Sequence, residues 1–496
     1  MAAATFSSAT RITARVVSET NDSSPDHQQP ALNRYGDLAV AYHRLIPGGV
    51  ASQRVVTVRI WNFDEQAGNI VLEPSIELEA GVPGGLFATN ESVEHPWIVA
   101  LADGSFVVTF QRRSLDADTA RGEAILLVAS GSGASKTWTA KRGATPNPIA
   151  GFVMGSAYTP GDSGSGFSRS CWAGNQGFLV VTPHQKSKSG TTPVARLYDI
   201  RGGLLNWSNP DGDPTVVAQA AALPGLGDVK LEDTASRALV AGGLGLSSAV
   251  IDRYGNLVLA TEEFDYVDGT YANDIGRLRI SRVQGIGGPD PLAALEAAYN
   301  QRFLGNSGGT KGRQIRRPML ASNAFQNFKG SNSVLLVYGD GGLIASGASV
   351  DSHTDYSRAA RIIFDKSGDT TPEVTDVTAS WASNLGADNR SQRRTSASGV
   401  VTPWGLEVVA AISDFDMPLT GGNPDPDSDT GRTIEFFYPA DNSVEHYLPI
   451  QGGFPDRVKM VGTMTDSGRK LVALGYETAN EQGGSPTSQV ELFDFA

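Results

Sequence analysis

The chain has 496 residues, with 40 lysines and arginines against 53 aspartates and glutamates, and a net charge of −13 at pH 7. This acidic balance excludes the usual nucleic-acid-binding protein, which needs a basic surface to neutralise phosphates. No run of residues approaches the roughly 18 apolar residues that a membrane-spanning helix needs, so we expect no membrane insertion. The 57 glycines and 26 prolines indicate many short strands joined by tight turns, and predict an all-β protein.

The N-terminus reads Met1-Ala-Ala-Ala-Thr-Phe and has no basic segment followed by an apolar one. We therefore expect no signal peptide and synthesis in a reducing cytoplasm. The single cysteine, Cys171, excludes an internal disulfide framework. We interpret it as a buried, inert thiol at the start of a strand. Residues 11–17 are a strand candidate that stands ahead of the first repeat.

A repeat runs down the chain as an apolar strand, a turn with a glycine, and a second apolar strand followed by polar residues. It is clear in Pro30-Ala-Leu-Asn-Arg-Tyr-Gly-Asp-Leu-Ala-Val and in Pro96-Trp-Ile-Val-Ala-Leu-Ala-Asp-Gly-Ser-Phe. The turn glycines are spaced by 63 to 78 residues, a period that suits a four-stranded sheet with one extended loop. These glycines are Gly36, Gly104, Gly177, Gly255, Gly330, Gly405 and Gly468.

Radial repetition of such sheets predicts a single seven-bladed β-propeller over residues 30–496. Residues 1–29 precede the propeller and contain a closing strand. Only two strands follow Gly468, so the last unit lacks its outermost strand. The candidate strand at residues 11–17 is predicted to complete it and to close the ring by joining the two ends of the chain. The units lie near residues 30–95, 96–165, 166–240, 241–312, 313–390, 391–452 and 453–496.

The second unit shows how strands are assigned. We predict strands over residues 97–102, 106–111, 123–129 and 136–140, with a turn at Asp103-Gly104 and a polar loop over residues 112–122.

One segment departs from the β pattern and predicts an inserted helix at about residues 290–305. Asp290 can cap such a helix, Pro291 suits its first turn and Gly305 suits its end. Its apolar residues recur at helical spacing and would share one face: Leu292, Leu295, Tyr299 and Phe303.

The loop between the second and third strands is the longest and most polar part of each unit, and all seven loops should open on one face of the disc. Functional residues concentrate on loops held by a rigid scaffold, so we expect the ligand-binding face here. Carboxylates beside aromatic rings suit carbohydrate binding, although a solvated acidic rim is an alternative reading. The candidate residues are Glu262, Glu263, Asp265, Tyr266, Tyr271, Asp414 and Asp416.

A second acidic segment, Asp425-Pro-Asp-Ser-Asp-Thr-Gly, places Asp425, Asp427 and Asp429 at the alternating spacing of calcium loops. Gly431 and Glu435 each stand one residue away from the positions that an EF-hand loop requires. A calcium site and an acidic turn therefore both stay open, and we expect no other cofactor.

The unit openings, such as Pro96-Trp-Ile-Val-Ala-Leu-Ala-Asp-Gly-Ser-Phe, resemble the blade openings of sialidases and related propellers. The resemblance implies a propeller scaffold, and in that family arginines, one of them in an Arg-Ile-Pro motif of the first blade, bind the substrate carboxylate. This chain has Gln28-Gln-Pro at that place, and Arg316-Arg-Pro occurs only in the fifth unit. The scaffold is therefore similar, but the catalytic pattern is not matched and no catalytic residue is assigned.

These observations favour a non-catalytic structural or binding protein of a virus particle, resembling propeller-type tail or fibre components of tailed phages. Its partners would be other virion proteins or further copies of itself, with a cell-surface polysaccharide as the ligand for host attachment. Two alternatives stay open. One is a sialidase-like glycoside hydrolase, which needs two carboxylates at a defined separation, and the other is a cytoplasmic protein-interaction propeller.

Overall fold

The computed structural model shows a nearly all-β chain. No helix among the residues described is long and apolar enough to cross a membrane. The structure describes residues 5–17, 23–46, 53–74, 76–78, 91–101, 103–114, 119–141, 169–172, 177–188, 196–206, 215–219, 242–252, 257–265, 275–283, 300–307, 313–322, 333–343, 356–363, 373–377, 392–415, 432–448, 454–479 and 487–495.

The described strands form seven antiparallel sheets, numbered here in chain order. Sheet 1 contains β2 (Ser23–Leu32), β3 (Leu38–Leu45), β4 (Arg54–Asp64) and β5 (Asn69–Leu72), with β6 (Ile76–Leu78) also paired to β4. Sheet 2 contains β7 (Glu91–Ala100), β8 (Phe106–Ser114), β9 (Thr119–Ser130) and β10 (Thr137–Lys141). Sheet 3 contains β11 (Arg169–Trp172), β12 (Gly177–Lys188), β13 (Arg196–Asn206) and β14 (Thr215–Gln219).

The later sheets follow the same order, in which each strand pairs with the next one along the chain. Sheet 4 contains β15 (Gly242–Ile251), β16 (Leu257–Asp265), β17 (Ile275–Val283) and β18 (Asn300–Ser307). Sheet 5 contains β19 (Arg313–Ala321), β20 (Ser333–Leu343), β21 (Tyr356–Ile363) and β22 (Glu373–Asp376), and sheet 6 contains β23 (Gln392–Val401), β24 (Glu407–Phe415), β25 (Arg432–Tyr438) and β26 (Ser443–Tyr447). Sheet 7 contains β27 (Phe454–Met464), β28 (Lys470–Ala479) and β29 (Thr487–Asp494).

The fourth strand of sheet 7 comes from the N-terminus. Strand β1 (Thr10–Val16) pairs antiparallel with β29 from Thr10 opposite Asp494 to Val16 opposite Gln489. The ladder continues for one more bond, in which the Val17 N–H donates to the Ser488 carbonyl over 2.8 Å. Two short 3₁₀ turns, Phe6–Ser8 and Gly133–Ser135, complete the described elements.

Apolar side chains from neighbouring sheets form the core, so the sheets are packed face to face. Sheets 1 and 2 enclose one cluster that includes Ile60 and Phe110, and sheets 7 and 1 enclose another that includes Trp61 and Leu492. Similar clusters lie between sheets 4 and 5, 5 and 6, and 6 and 7. Strands buried on both faces lose the strict polar–apolar alternation, which explains the nearly continuous apolar runs of β3 and β24.

The predicted glycine turns between first and second strands are confirmed at Gly36, Gly104, Gly405 and Gly468. All four have φ between 82° and 93°, in the left-handed region that favours glycine. In each, the glycine N–H donates to the carbonyl three residues earlier, so one turn geometry recurs. At Gly104 a Cβ atom would also lie 2.3 Å from Cε2 of Tyr35. Gly255 and Gly330 lie outside the described residues, and Gly177 is the first residue of β12.

The predicted helix at residues 290–305 is wrong over its C-terminal part. Residues 300–307 form β18, which pairs with β17 and places Phe303 opposite Arg279. Pairing with the exposed edge of β17 overrides the local helical pattern, because it satisfies a whole row of backbone groups. Residues 290–299 lie outside the described residues.

The predicted polar loops are shorter than expected because the strands run further. In sheet 2 the predicted loop at residues 112–122 is largely strand, and Arg112 pairs with Arg121 across the β8–β9 hairpin. Strands β16 and β24 likewise continue to Asp265 and Phe415.

Buried serines join the first strands of neighbouring sheets. Ser248 in β15 accepts a hydrogen bond from the Leu320 N–H of β19 at 3.0 Å, and Ser398 in β23 accepts one from the Met460 N–H of β27 at 3.1 Å. Both serines are almost completely buried. Each hydroxyl therefore satisfies a backbone donor that water does not reach.

Replacing Ser398 with alanine should lower the free energy of unfolding by about 1–3 kcal/mol, because it leaves the Met460 N–H buried without its acceptor. Urea unfolding of the purified chain measures this loss. The matched control is Ser135→Ala, which removes an exposed side-chain bond to the Ser132 carbonyl and should change the value by less than about 0.5 kcal/mol. Equal effects in the two variants would contradict a linking role for Ser398.

Candidate functional site

Each sheet has two distinct ends. The tight glycine turns join first and second strands at one end, called here the turn end. The first strands begin, and the second strands finish, at the other end, called here the loop end. In sheet 2, for example, Glu91 at the start of β7 pairs with Ser114 at the finish of β8.

A β-bulge recurs near the loop end in the first strands of six sheets. In β7, two residues lie between Glu94 and Trp97, whereas only one lies between their partners Gln111 and Thr109. A single extra residue of this kind also occurs in β2, β15, β19, β23 and β27. Bulges bend a strand and change the direction of its side chains, and they are common beside binding sites. The residues within these bulges include His27-Gln28, His95-Pro96, Gly245-Leu246, Arg317-Pro318, Ser396-Ala397 and Asp456.

The structure places four of the predicted ligand-binding residues at the loop end. Glu262, Glu263 and Asp265 lie at the end of β16 in sheet 4, and Asp414 lies at the end of β24 in sheet 6. They are strand residues rather than the loop residues that the sequence predicted, because the ladders extend further than the apolar runs. Sheet 5 separates the two groups, so these residues do not form one contiguous cluster on neighbouring sheets.

The register gives some of these acidic residues basic neighbours. Asp414 stands opposite Arg393 of β23 on one side and Arg432 of β25 on the other. Glu263 stands opposite Arg277 of β17. Opposite charges at directly paired positions stabilise antiparallel sheets. Acidic and basic residues therefore occupy directly paired positions in sheets 4 and 6.

The remaining predicted residues lie outside the described part of the chain. They are Tyr266, Tyr271 and Asp416 of the ligand-binding face and Asp425, Asp427 and Asp429 of the calcium segment. Among the residues that the structure describes, no group of three or more histidine, cysteine, aspartate or glutamate residues is placed to hold a metal ion.

Charge is unevenly distributed over the first-strand segments at the loop end. Sheets 5 and 6, which are neighbours, contribute arginines and no acidic residue, whereas sheets 1 and 2 contribute acidic residues and histidines, and sheet 4 contributes a run of glycines. The basic residues are Arg313, Arg316, Arg317, Arg393 and Arg394. The residues of sheets 1 and 2 are Asp26, His27, Glu91, Glu94 and His95.

A buried polar cluster supports the loop end between sheets 1 and 2. The Ser92 hydroxyl donates to Oε1 of Glu94 at 2.7 Å and accepts the Arg54 N–H at 2.9 Å. Nη1 of Arg54 lies 2.6 Å from Nε2 of His43, a fully buried ring. Arginine only donates, so this contact requires Nε2 to accept and the imidazole to be neutral. These side chains bind one another and hold the start of β7 in place.

A second cluster supports the loop end between sheets 7 and 1. Gln28, within the bulge of β2, donates through its backbone N–H to Oε1 of Glu477 at 3.1 Å and through Nε2 to the Gln489 carbonyl at 2.6 Å. Its side chain fits against Gly475, where a Cβ atom would lie 2.3 Å from Nε2 of Gln28. Both clusters fix the backbone geometry of bulged strands, and they are scaffolding for the loop end.

The turn end is structural where it is described. Lys136 of sheet 2 inserts its ammonium between both carboxylate oxygens of Asp37 in sheet 1, at 2.6 and 2.5 Å. Asp37 is fully buried and also accepts from Asn33 and from the Phe63 N–H. These contacts engage both carboxylate oxygens of Asp37. The candidate ligand-binding residues that the structure describes lie at the loop end.

No protein-family model matches this chain, and no curated protein is similar to it. Solved structures with a similar course of the chain include a protein of unknown function from Dyadobacter fermentans, 12% identical over 99% of this chain and 100% of that one, with a TM-score of 0.43. A PL25 ulvan lyase is 10% identical over 96% and 95% of the two chains, with a TM-score of 0.47. The NanB sialidase of Streptococcus pneumoniae is 9% identical over 97% and 70%, with a TM-score of 0.42. At these identities and scores the likenesses assign no activity and no family to the chain.

The sequence patterns predicted ligand-binding residues in the loops and did not identify the charged segments at the start of the first strands. The dipeptides Arg316-Arg317 and Arg393-Arg394 were the available signal. Their importance depends on a register that places Arg316-Arg317 at the bulge of β19 and Arg393-Arg394 just ahead of the bulge of β23. The spacing of apolar residues does not reveal that register.

Proposed function

We propose that the seven sheets are the blades of a closed propeller whose loop end binds an anionic polysaccharide. The protein would serve as a non-catalytic attachment component of a virus particle, such as the tail or fibre of a tailed phage. It would assemble there with other virion proteins or with further copies of itself.

Contacts between sheets support the closed ring. The first strand of a sheet packs against the sheet before it, as β23 does against β20 and β27 does against β24. The same relation joins the ends of the series, because β2 of sheet 1 packs against β27, β28 and β29 of sheet 7. Such a ring leaves no sheet face at either end of the series uncovered.

The observation that carries the binding proposal is the concentration of arginine at one part of the loop end. A chain with a net charge of −13 places five arginines and no acidic residue in the starting segments of two neighbouring strands, β19 and β23. The planar guanidinium pairs with carboxylate, sulfate or phosphate through two parallel hydrogen bonds. Arg316 stands opposite Gly339 and Arg394 opposite Ser413, so neither has an acidic residue at its paired position.

The test is binding of the purified chain to polysaccharides that carry uronate or sulfate groups, compared with neutral polysaccharides, at several salt concentrations. We expect binding to the anionic polymers that weakens as salt rises. Replacing Arg316 and Arg394 together with alanine should reduce the affinity at least tenfold, which corresponds to about 1.4 kcal/mol. The matched control is Arg34→Ala, because Arg34 is an exposed arginine at the turn end, paired with Asp466.

Equal affinity for neutral and anionic polymers, or an unchanged affinity of the double variant, would contradict the arginine site. The polysaccharide is recovered after incubation and its chain length is measured. Intact polymer agrees with a non-catalytic protein, whereas shortened polymer would favour the glycoside-hydrolase alternative. Proteomic analysis of particles purified from a lysate of the source culture tests the virion assignment separately.

A further inference from the structure

The N-terminal segment, defined here as residues 5–17, makes its described contacts mainly with the end of the chain. Its strand β1 adds to β29, and Phe6 before it lies among residues of sheets 6 and 7. The segment continues into sheet 1 through residues 18–22. It is therefore a short segment that docks mainly on sheets 6 and 7, and its last residue, Val17, also packs against sheet 1.

Phe6 is the anchor of this segment. Its ring stacks on Phe436 with the centroids 4.0 Å apart and the planes 7° apart. The edges of Phe493 and Phe495 complete the surroundings at 5.0 and 5.2 Å. Only 3% of Phe6 is exposed, so a residue near the chain terminus is as buried as the core. Such an aromatic socket provides both burial and preferred ring geometry.

Polar contacts fix the register of the docked segment. The Phe6 N–H donates to the Tyr438 hydroxyl at 2.8 Å, and that hydroxyl donates to Oε2 of Glu445 at 2.7 Å. Burial raises the pKa of Tyr438, so the hydroxyl stays protonated and keeps this chain of bonds intact. Further along, Nη1 of Arg11 donates to the Tyr447 hydroxyl at 3.3 Å.

We propose that this docking site is a strand-exchange site, at which the N-terminal segment of a second copy of the chain can replace the resident one. The recognition elements are a strand edge, an aromatic socket and a few fixed polar contacts, as in β-strand addition by peptides. All of them lie on the segment and on sheets 6 and 7. A segment from another copy would therefore make the same bonds, as in the exchange of an identical element between protomers.

The test uses the full chain with a protease site inserted between residues 18 and 22. After cleavage, a fluorescent peptide of residues 5–17 is added, and its incorporation is followed by anisotropy and native mass spectrometry. We expect one peptide per chain and release of the resident segment. A peptide with Phe6→Ala should bind at least about 100-fold more weakly, and a scrambled peptide of the same composition is the control.

Failure of the wild-type peptide to exchange into the cut, folded chain would overturn the proposal, as would equal binding of the Phe6→Ala peptide. If the cut chain unfolds, the uncut chain is incubated with excess peptide just below its unfolding temperature, and absence of incorporation there also overturns it. Exchange between intact copies should appear as dimers at high protein concentration that excess peptide converts to monomers. Polysaccharide binding is not needed for any of these results.

Discussion

Replacing Lys136 with methionine is expected to lower the free energy of unfolding by about 3–5 kcal/mol. Methionine has a similar length and is well tolerated in cores. The loss of stability therefore reflects the removed charge and not a cavity. The reason for the large loss is the partner. Asp37 is fully buried, and without the ammonium its carboxylate keeps only neutral donors.

The surroundings of Lys136 show why this pair has a large effect and a surface pair does not. The Lys136 carbonyl accepts from Asn62 at 2.6 Å, and its ammonium lies 5.2 Å from the centre of the Tyr35 ring. The backbone and the side chain of this residue thus both join sheet 2 to sheet 1. Removing one charge from a buried pair leaves the other uncompensated, whereas an exposed pair is compensated by water.

Urea unfolding of four chains measures the effect: wild type, Lys136→Met, Asp37→Asn and the double variant. We expect the double variant to lose less than the sum of the single losses, because the second change removes the charge that the first left unpaired. Arg34→Ala is the control for an ion pair, since both side chains of the Arg34–Asp466 pair are about half exposed, and it should cost at most about 1 kcal/mol. A loss below about 1 kcal/mol for Lys136→Met would contradict the role assigned to the pair.

Local chemistry explains which parts of the fold could be predicted. A turn that requires a positive φ favours glycine, and this preference depends only on the few residues of the turn. Gly36 and Gly104 could therefore be identified without knowing their neighbours in space. The period of these turns then indicated repeated four-stranded sheets. The strand in residues 11–17 was also predictable, because the last unit contained too few strands to complete its sheet.

Non-local pairing explains which parts could not be predicted. Residues 300–307 have a helical spacing of apolar side chains, and only the free edge of β17 makes them a strand. Asp414 was predicted as a ligand-binding residue in a loop, whereas its position between Arg393 and Arg432 depends on the register of β24 with two other strands. The recurring bulge exists only as a difference between paired strands.

Replacing Phe6 with alanine is expected to lower the free energy of unfolding by about 3–5 kcal/mol, as for other buried aromatic residues. The four-ring contact with Phe436, Phe493 and Phe495 would lose its central member. Leu448→Ala is the matched control, since 71% of Leu448 is exposed and little apolar area is lost there. It should change stability by less than about 0.5 kcal/mol in the same urea experiment.

The Phe6 result also tests the proposed closed propeller, in which the terminal segment would stabilise the contact between the first and last sheets. If β1 only covered an edge, alanine at residue 6 would fray the terminus and leave cooperative unfolding of the other sheets unchanged. If β1 closes the ring, the loss at residue 6 appears in the single global transition, and deletion of residues 1–17 costs more than the point change. Hydrogen exchange at β2, which packs on sheet 7, separates the two cases, and unchanged protection of β2 in Phe6→Ala would contradict closure through this segment.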